Sequence, residues 1–346
     1  MPKVRAFSEF NNIFEKNFKM KQILGIGNAL VDVMTQIDND QILEEFGLPK
    51  GSMTLVDKKK SVEVKKSTIF FKRSLASGGS AANTIYGLSM LHPGAGFIGS
   101  IGKDETGDFF ENDMIKAGVR TVLIRRKTIT GTAVALISPD SERTFATHLG
   151  AAVELGAADL RQEYFKPYNI LYLEGYLIND RSLIVKACEL AKENGMEVAL
   201  DLASYNVVNA HKNDFIDIVD KYTDIIFANE EEARAFTGLD PEPALDKLSG
   251  YCNIAVVKTG KEGSMVKRGE EKIRINPLPV DCRDTTGAGD LYAAGFLYGY
   301  AKQLPLDKCG LIGSLLAGNV IENIGARIPD KKWPEIRKHI ASIIRD

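Results

Sequence analysis

The sequence predicts an α/β protein: a three-layer α/β/α core around a mostly parallel central sheet, carrying a small β-sheet lid. Three observations predict it. Apolar runs near residues 170, 198, 226 and 256 are each separated by a helix-length stretch, the rhythm of a parallel sheet with helices on both faces. The segments TAVALISP and RTFATHLG alternate in polarity around the turn PDSE with no helix between them, which is a hairpin pattern. Two glycine-rich turns, GGSAAN at 78–83 and DTTGAGD at 284–290, each open directly into a helical pattern.

Taken in order, QILGIGNALVDV (22–33) is a short apolar run with glycine punctuation and reads as a buried strand and its following turn. Between 39 and 77 the texture changes to a short amphipathic helix (QILEEFG), an isolated strand (SMTLVD) and the lysine-rich DKKKSVEVKK, which reads as a solvated helix face. FFKRSLAS is strand-like and leads into the first glycine turn and its helix. AGFIGSI reads as a strand, and TGDFFENDMIKA as a helix closed by Gly118. After the hairpin, the strands NILYLEG, EVALDL, DIIFAN and IAVVKTG alternate with the helices RSLIVKACELAKENG, FIDIVDKY, EEARAFTG and DLYAAGFLYGYAKQ. The expected division is a core of 21–32, 78–119 and 150–346, a β-rich lid of 33–77 and 120–149, and an extension of 1–20 in which Met20 is a candidate start. A flap of strands over the mouth of an α/β sheet suits a water-excluding lid.

Composition narrows the class of partner. The chain has 346 residues, 44% hydrophobic, with a formal net charge of −2. That charge offers no global field for nucleic acid or an anionic membrane, so a polyanion needs a local cradle. The four cysteines, Cys188, Cys252, Cys282 and Cys309, form no CxxC pair and read as reduced core thiols. The four histidines are scattered, with no zinc spacing. No secretory h-region or membrane-length apolar run is present, so a cytoplasmic protein is expected.

The richest local signal is DCRDTTGAGDLYAAGFLYGY at 281–300. A glycine turn at a helix N-terminus exposes amide N–H groups where partial positive charge favours phosphate, and the missing side chains permit close approach. Asp290 in that turn repels phosphate unless it has a task, and taking the proton of an attacking hydroxyl is such a task. The amides of Gly287, Ala288 and Gly289 are then placed to stabilise the transferring group. Read locally, the same residues also describe a helix with an acid in its first turn.

DTTGAGD resembles the C-terminal signature of the ribokinase-like (phosphofructokinase-B type) carbohydrate and purine-nucleoside kinases. GGSAAN is similar to the family's N-terminal di-glycine signature, and NEEE at 229–232 to its NxxE element. The resemblance runs from about residue 21 to the C-terminus. It implies the ribokinase-like fold and an ATP-dependent kinase with Asp290 as base and Gly287 to Gly289 as anion hole. It implies Gly78, Gly79, Asn83, Asp32 and Asn28 at the substrate hydroxyls, a carboxylate such as Asp32 being able to accept from both O–H groups of a ribose diol. Arg143 of the lid and Glu174 are further substrate-side candidates; Asp201, like Glu174, closes a core strand. Asn229, Thr259, Gly260, Gly263 and Asn319 are implied on the ATP side, with Glu232 ordering Mg²⁺ through water. Some members use a monovalent cation, and the backbone around Asp284 and Thr286 with the loop ENIGARIP (322–329) is similar to such a site, which makes K⁺ a candidate activator.

Other chemistries find less support. GIGNAL lacks the third glycine of a dinucleotide fingerprint, and no Walker loop or HRD/DFG set is present. A non-catalytic binding descendant is expected to lose its base, and Asp290 is intact. The acceptor stays open between a nucleoside and a free sugar. GNALVD followed by a long lid segment is closer to adenosine-kinase-like members, and a nucleoside needs an apolar slot for which Phe70, Phe71, Phe145 and Tyr172 are candidates. Both a monomer and a homodimer paired through the lid edge are compatible with the pattern.

Overall fold

A computed structural model of the chain describes residues 20–140 and 142–345, so the expected extension lies almost wholly outside the described residues. The strands in chain order are β1 (Ile23–Ile26), β2 (Leu30–Gln36), β3 (Met53–Leu55), β4 (Arg73–Gly78), β5 (Gly96–Gly102), β6 (Arg120–Arg126), β7 (Gly131–Ile137), β8 (Arg143–His148), β9 (Ile170–Glu174), β10 (Glu197–Asp201), β11 (Ile225–Asn229), β12 (Ile254–Lys258), β13 (Ser264–Arg268) and β14 (Glu271–Ile275). The helices are α1 (Gln41–Glu45), α2 (Lys58–Ser67), α3 (Ser80–Leu91), α4 (Glu105–Lys116), α5 (Arg181–Glu193), α6 (Tyr205–Ala210), α7 (Lys212–Tyr222), α8 (Glu230–Thr237), α9 (Pro241–Leu248), α10 (Ala288–Ala301), α11 (Leu306–Ile321) and α12 (Trp333–Arg345).

Nine strands form one sheet in the order β14-β13-β12-β11-β10-β9-β1-β5-β6, parallel from β12 to β6. Its inner strands β1, β5 and β9 to β12 are largely apolar because both faces are covered. In β9, Ile170 and Tyr172 join one core while Leu171 and Leu173 join the other; β11 splits the same way, with Ile225 and Phe227 against Ile226 and Ala228. Helices α3, α10, α11 and α12 cover the first face, and α5, α7, α8 and α9 the second. This is the expected three-layer core. The antiparallel β12–β13–β14 edge went unread because its strands are short and half polar.

The remaining five strands form a second sheet, β3-β8-β7-β2-β4. Two boundaries differ from the sequence reading. Residues 22–33 are two strands rather than a strand and a turn: β1 ends at Ile26 and β2 starts at Leu30 in the other sheet. A short apolar run read as one strand does not show where the chain changes sheets. Asp32 therefore lies inside a strand, opposite Ala76 and Ala133. Residues 120–126, placed by sequence with the lid, pair with β5 at the edge of the large sheet.

Register assigns the small sheet's faces. Val31 and Val33 of β2, Val134 and Leu136 of β7 and Ala146 of β8 point into the main core. On the opposite face, Asp32 stands level with Ala76 and Ala133, and Met34 with Ala135, Phe145 and Met53. No helix among the described residues is long and apolar enough to cross a membrane. Cys282 is exposed rather than a core thiol.

Candidate active site

In an open parallel sheet, ligand groups collect beyond the carboxyl ends of the strands, and most readily where strand order reverses. Here β1 lies between β5 and β9, so the order reverses beside it, and Glu174, Asp201, Asn229 and Lys258 close β9 to β12 at that same edge.

The two glycine turns meet at this edge. Asp290, in the first turn of α10, accepts from Ser80 Oγ at 2.7 Å on one oxygen and from Asn83 Nδ2 at 3.0 Å on the other. Thr84 Oγ1 donates to the Asp290 carbonyl at 3.1 Å. Burial pushes the Asp290 carboxyl up to about 6, with Asn83 and Ser80 holding it down and Asp201 adding to the rise. Gly287 has φ 76°, and a Cβ there would lie 2.6 Å from the Cβ of Ala326, so the turn admits glycine alone at that point.

The di-glycine pair has a reason within the protein itself. A Cβ on Gly79, whose φ is 99°, would stand 2.0 Å from the Asn28 carbonyl oxygen, and one on Gly78 would stand 2.4 Å from the Asp32 carboxylate. Asp32 thus lies across bare backbone. Burial pushes it up to about 6; the Arg327 guanidinium opposes this and Asp290 adds to it. Glu174 is fully buried and accepts from Ala81 N at 2.8 Å, from Asn28 N at 2.9 Å and from Asn28 Nδ2. It ties the β1 exit to the start of α3, one layer behind the cleft rather than facing it, and Asn28 is committed to it.

On the other side, Asn229 and Glu232 form a reciprocal cap on α8. Glu232 N donates to Asn229 Oδ1 at 2.8 Å, while Asn229 N and Nδ2 each donate to a Glu232 oxygen at 2.7 Å. Burial, reinforced by Asp201, pushes Glu232 up to about 7. Thr259 is buried with an unpartnered Oγ1. It leads the turn from β12 to β13, in which Gly263 has φ 90° and no room for a Cβ beside Ile275 O. Asn319 instead donates to Leu315 O within α11, at 2.9 Å.

Arg143 reaches from β8 onto the α10 turn. It pairs with Asp284 and donates to Thr286 Oγ1 at 2.8 Å. Asp284 also accepts from Thr286 N and Gly325 N, both at 2.6 Å. The Asp284 carboxylate is thus held by Arg143 and by two backbone N–H groups. The Asn229–Glu232 pair fits a metal only through water, because both Glu232 oxygens are taken, and no cluster of three or more acidic, histidine or cysteine groups among the described residues suits direct coordination.

Three residues of this region escaped the sequence reading. Ser80 sits inside GGSAAN but reads as a helix start; its partner is 210 residues away. Lys258 reads as one more lysine in VVKTG. Arg327 lies in ENIGARIP, stacks 3.5 Å over Tyr86, and donates to Ser77 Oγ at 2.6 Å and to the Ser77 carbonyl. Of the aromatic candidates, Tyr172 is wholly buried against Phe227, Phe70 is exposed, and Phe71 lies with Val31 and Val33 behind the small sheet. Phe145 alone shares the face of Asp32.

A family model described as pfkB family carbohydrate kinase matches residues 52–333. A probable sugar kinase from Rhizobium etli superposes with a TM-score of 0.84 at 33% identity, over 94% of this chain and all of that one. Adenosine kinase from Sinorhizobium meliloti superposes with a TM-score of 0.83 at 34% identity, over 93% of this chain and all of that one. A 5-dehydro-2-deoxygluconokinase of Clostridium botulinum is 31% identical over 271 residues, 72% of this chain and 79% of its own length.

Proposed function

Since the chain belongs to the pfkB family of carbohydrate kinases, we propose that the acceptor of its ATP-dependent phosphotransfer is a primary hydroxyl of a ribose-containing nucleoside, with Asp290 as the general base. One observation carries the reading. The helix that follows the di-glycine turn supplies both donors that aim the Asp290 carboxylate, so a hydroxyl bound at the first motif is presented to the base at the phosphate-binding turn.

Asp32 accepts from the two hydroxyls of the ribose diol over the bare backbone of Gly78, while Asn83 fixes the base that the acceptor hydroxyl approaches. The acceptor oxygen attacks the γ-phosphorus of ATP, its proton passes to Asp290, and the Gly287, Ala288 and Gly289 amides stabilise the charge that accumulates on the transferring group. Asn229 and Glu232 would hold Mg²⁺ through water, supplying charge neutralisation at the phosphates. Thr259 Oγ1, buried and without a partner, suits a phosphate oxygen, with Gly260 and Gly263 shaping the turn beneath it. The small sheet acts as the lid, docked through Arg143 on the α10 turn.

The face around Asp32 supports a nucleoside acceptor. Met34, Met53 and Phe145 share it, and Met53 and Leu55 are exposed. Such an apolar wall suits a purine better than a polyol. A free sugar or sugar acid is the second reading, favoured by the identity with 5-dehydro-2-deoxygluconokinase. The test is turnover of ATP against nucleosides and free sugars, with product NMR locating the phosphate. A 5′-nucleotide is expected; turnover of free sugars alone removes the nucleoside reading, and no turnover of any alcohol removes the role of Asp290.

A further inference from the structure

The reaction outlined above leaves Lys258 without a task. Lys258 closes β12, next to Thr259, and its Nζ reaches past the end of β11 to donate to Asp201 Oδ2 on β10 at 2.9 Å. The same Nζ lies against the phosphate turn: a Cβ on Gly289 would approach it to 3.1 Å. The lysine side chain is 14% exposed, so it opens to the cleft instead of ending in the core. Asp201, Glu232 and Asp290 all favour its charged form.

An ammonium has three N–H donors, and Asp201 takes one here. Leaving a desolvated charge with unused donors is costly unless a further acceptor arrives. The surrounding charge points the same way. Asp201 and Glu232 stand with Asp290 at the place where a triphosphate has to be held, and three carboxylates repel it. Lys258 is the cation among them. Glycine at 289 leaves the gap through which an ammonium and a phosphate oxygen come together beside the amide ring.

We propose that Lys258 contacts the terminal phosphates of bound ATP as a catalytic residue of the phosphotransfer. The inference rests on the kinase reading above and adds a cation to it. As the acceptor oxygen bonds to the γ-phosphorus, the bond from that phosphorus to the bridging oxygen breaks, and its electron pair leaves on the terminal phosphate of ADP. The acceptor proton goes to Asp290. Lys258 keeps its protons throughout and donates hydrogen bonds to the oxygens that gain charge.

The experiment compares wild type with Lys258→Met, Lys258→Arg and the double variant Asp201→Asn/Lys258→Met. Calorimetry with ATP, ADP and AMP is combined with steady-state kinetics, and thermal unfolding checks the fold. Lys258→Met is expected to lose about 10²-fold in kcat, as for other removed charge-stabilising donors, and to bind ATP about 10-fold more weakly or worse, while AMP binds as before. Lys258→Arg keeps part of the activity. A lysine that serves only to neutralise Asp201 predicts otherwise: the double variant, with neither charge, recovers to near wild-type turnover. That recovery overturns the proposal, as does an unchanged kcat in Lys258→Met or an equal loss of ATP and AMP affinity. The double variant leaves no orphaned carboxylate at 201, so it decides the matter even if Lys258→Met is too unstable to assay. A wild-type chain that neither binds nor turns over ATP overturns the kinase reading itself, and the lysine's role falls with it.

Discussion

Asp290 and Ser80 stand 210 residues apart in the chain and meet at 2.7 Å. With Asn83 on the second oxygen, the carboxylate is held in one orientation by the helix that carries the di-glycine turn. A carboxylate held this way is preorganised for the base role proposed above, so its removal is expected to act on the chemical step more than on binding. Asp290→Asn retains the size and both neighbours but accepts no proton. It is expected to lose about 10²–10⁴-fold in kcat with acceptor KM little changed. Steady-state kinetics on a variant shown to melt like wild type checks this; near-normal turnover removes the base role.

The same hydrogen bonds predict a pH profile. With its pKa near 6, Asp290 is protonated and unable to act below that value, so kcat/KM climbs about tenfold per pH unit up to about pH 6 and then levels. The Ser80 and Asn83 bonds stabilise the charged form. Ser80→Ala withdraws one of them, which raises the pKa and moves the acidic limb to higher pH. A limb that stays in place, or moves toward acid, contradicts the assignment.

How much of this was legible depends on the range of the signal. The parallel core was readable because each buried strand writes its own apolar run, and Gly287 and Gly289 announced a helix start built for close approach. The NEEE cap at Asn229 and Glu232 was equally local. What pairs with what was not. Nothing near Lys258 names Asp201, and Tyr172 reads like any aromatic until its burial against Phe227 is seen. Glu174 closes a strand as a ligand would, yet three donors from Asn28 and Ala81 consume it. The break between β1 and β2 was hidden because both begin within one short apolar run, and it moved Asp32 from a turn onto the face of a sheet.

Asp32, like Asp290, carries an energetic signature of its burial. Its folded pKa, about 6 against an ordinary 3.8, is raised chiefly by burial. A carboxyl raised on folding holds its proton more tightly in the native state. Stability is therefore greatest below the unfolded value and falls as pH rises from 3.8 toward 6. At pH 7 the ionised group costs on the order of 2–3 kcal/mol. Asp32→Asn is expected to raise Tm at pH 7, with the gain shrinking toward pH 4, and at the same time to weaken binding of a diol-bearing acceptor. A 2′-deoxy acceptor bound to wild type suffers a comparable loss. If Tm falls at pH 7, the carboxylate is a structural anchor and the diol assignment is lost.

Arg327 braces the backbone of the di-glycine turn. Its guanidinium lies 3.5 Å over Tyr86 and donates to the Ser77 carbonyl and, at 2.6 Å, to Ser77 Oγ. From the other side, Ser77 N and Oγ donate to Asp113 at 3.0 and 2.6 Å. Ser77 immediately precedes Gly78, so the two charged groups fix the turn from both flanks while Arg327 also opposes the rise at Asp32. Arg327→Met keeps the stem's packing and removes both effects. The turn loosens, Asp32 becomes harder to ionise, and acceptor KM is expected to rise about tenfold or more, the scale of a lost charge-assisted hydrogen bond, with kcat less affected. Arg327→Lys does not restore it, because a point charge does not stack on Tyr86 as the planar guanidinium does. Kinetics resolved into kcat and KM separates the alternatives: a fall in kcat at constant KM places Arg327 with the phosphoryl step, and full rescue by lysine reduces its part to charge alone.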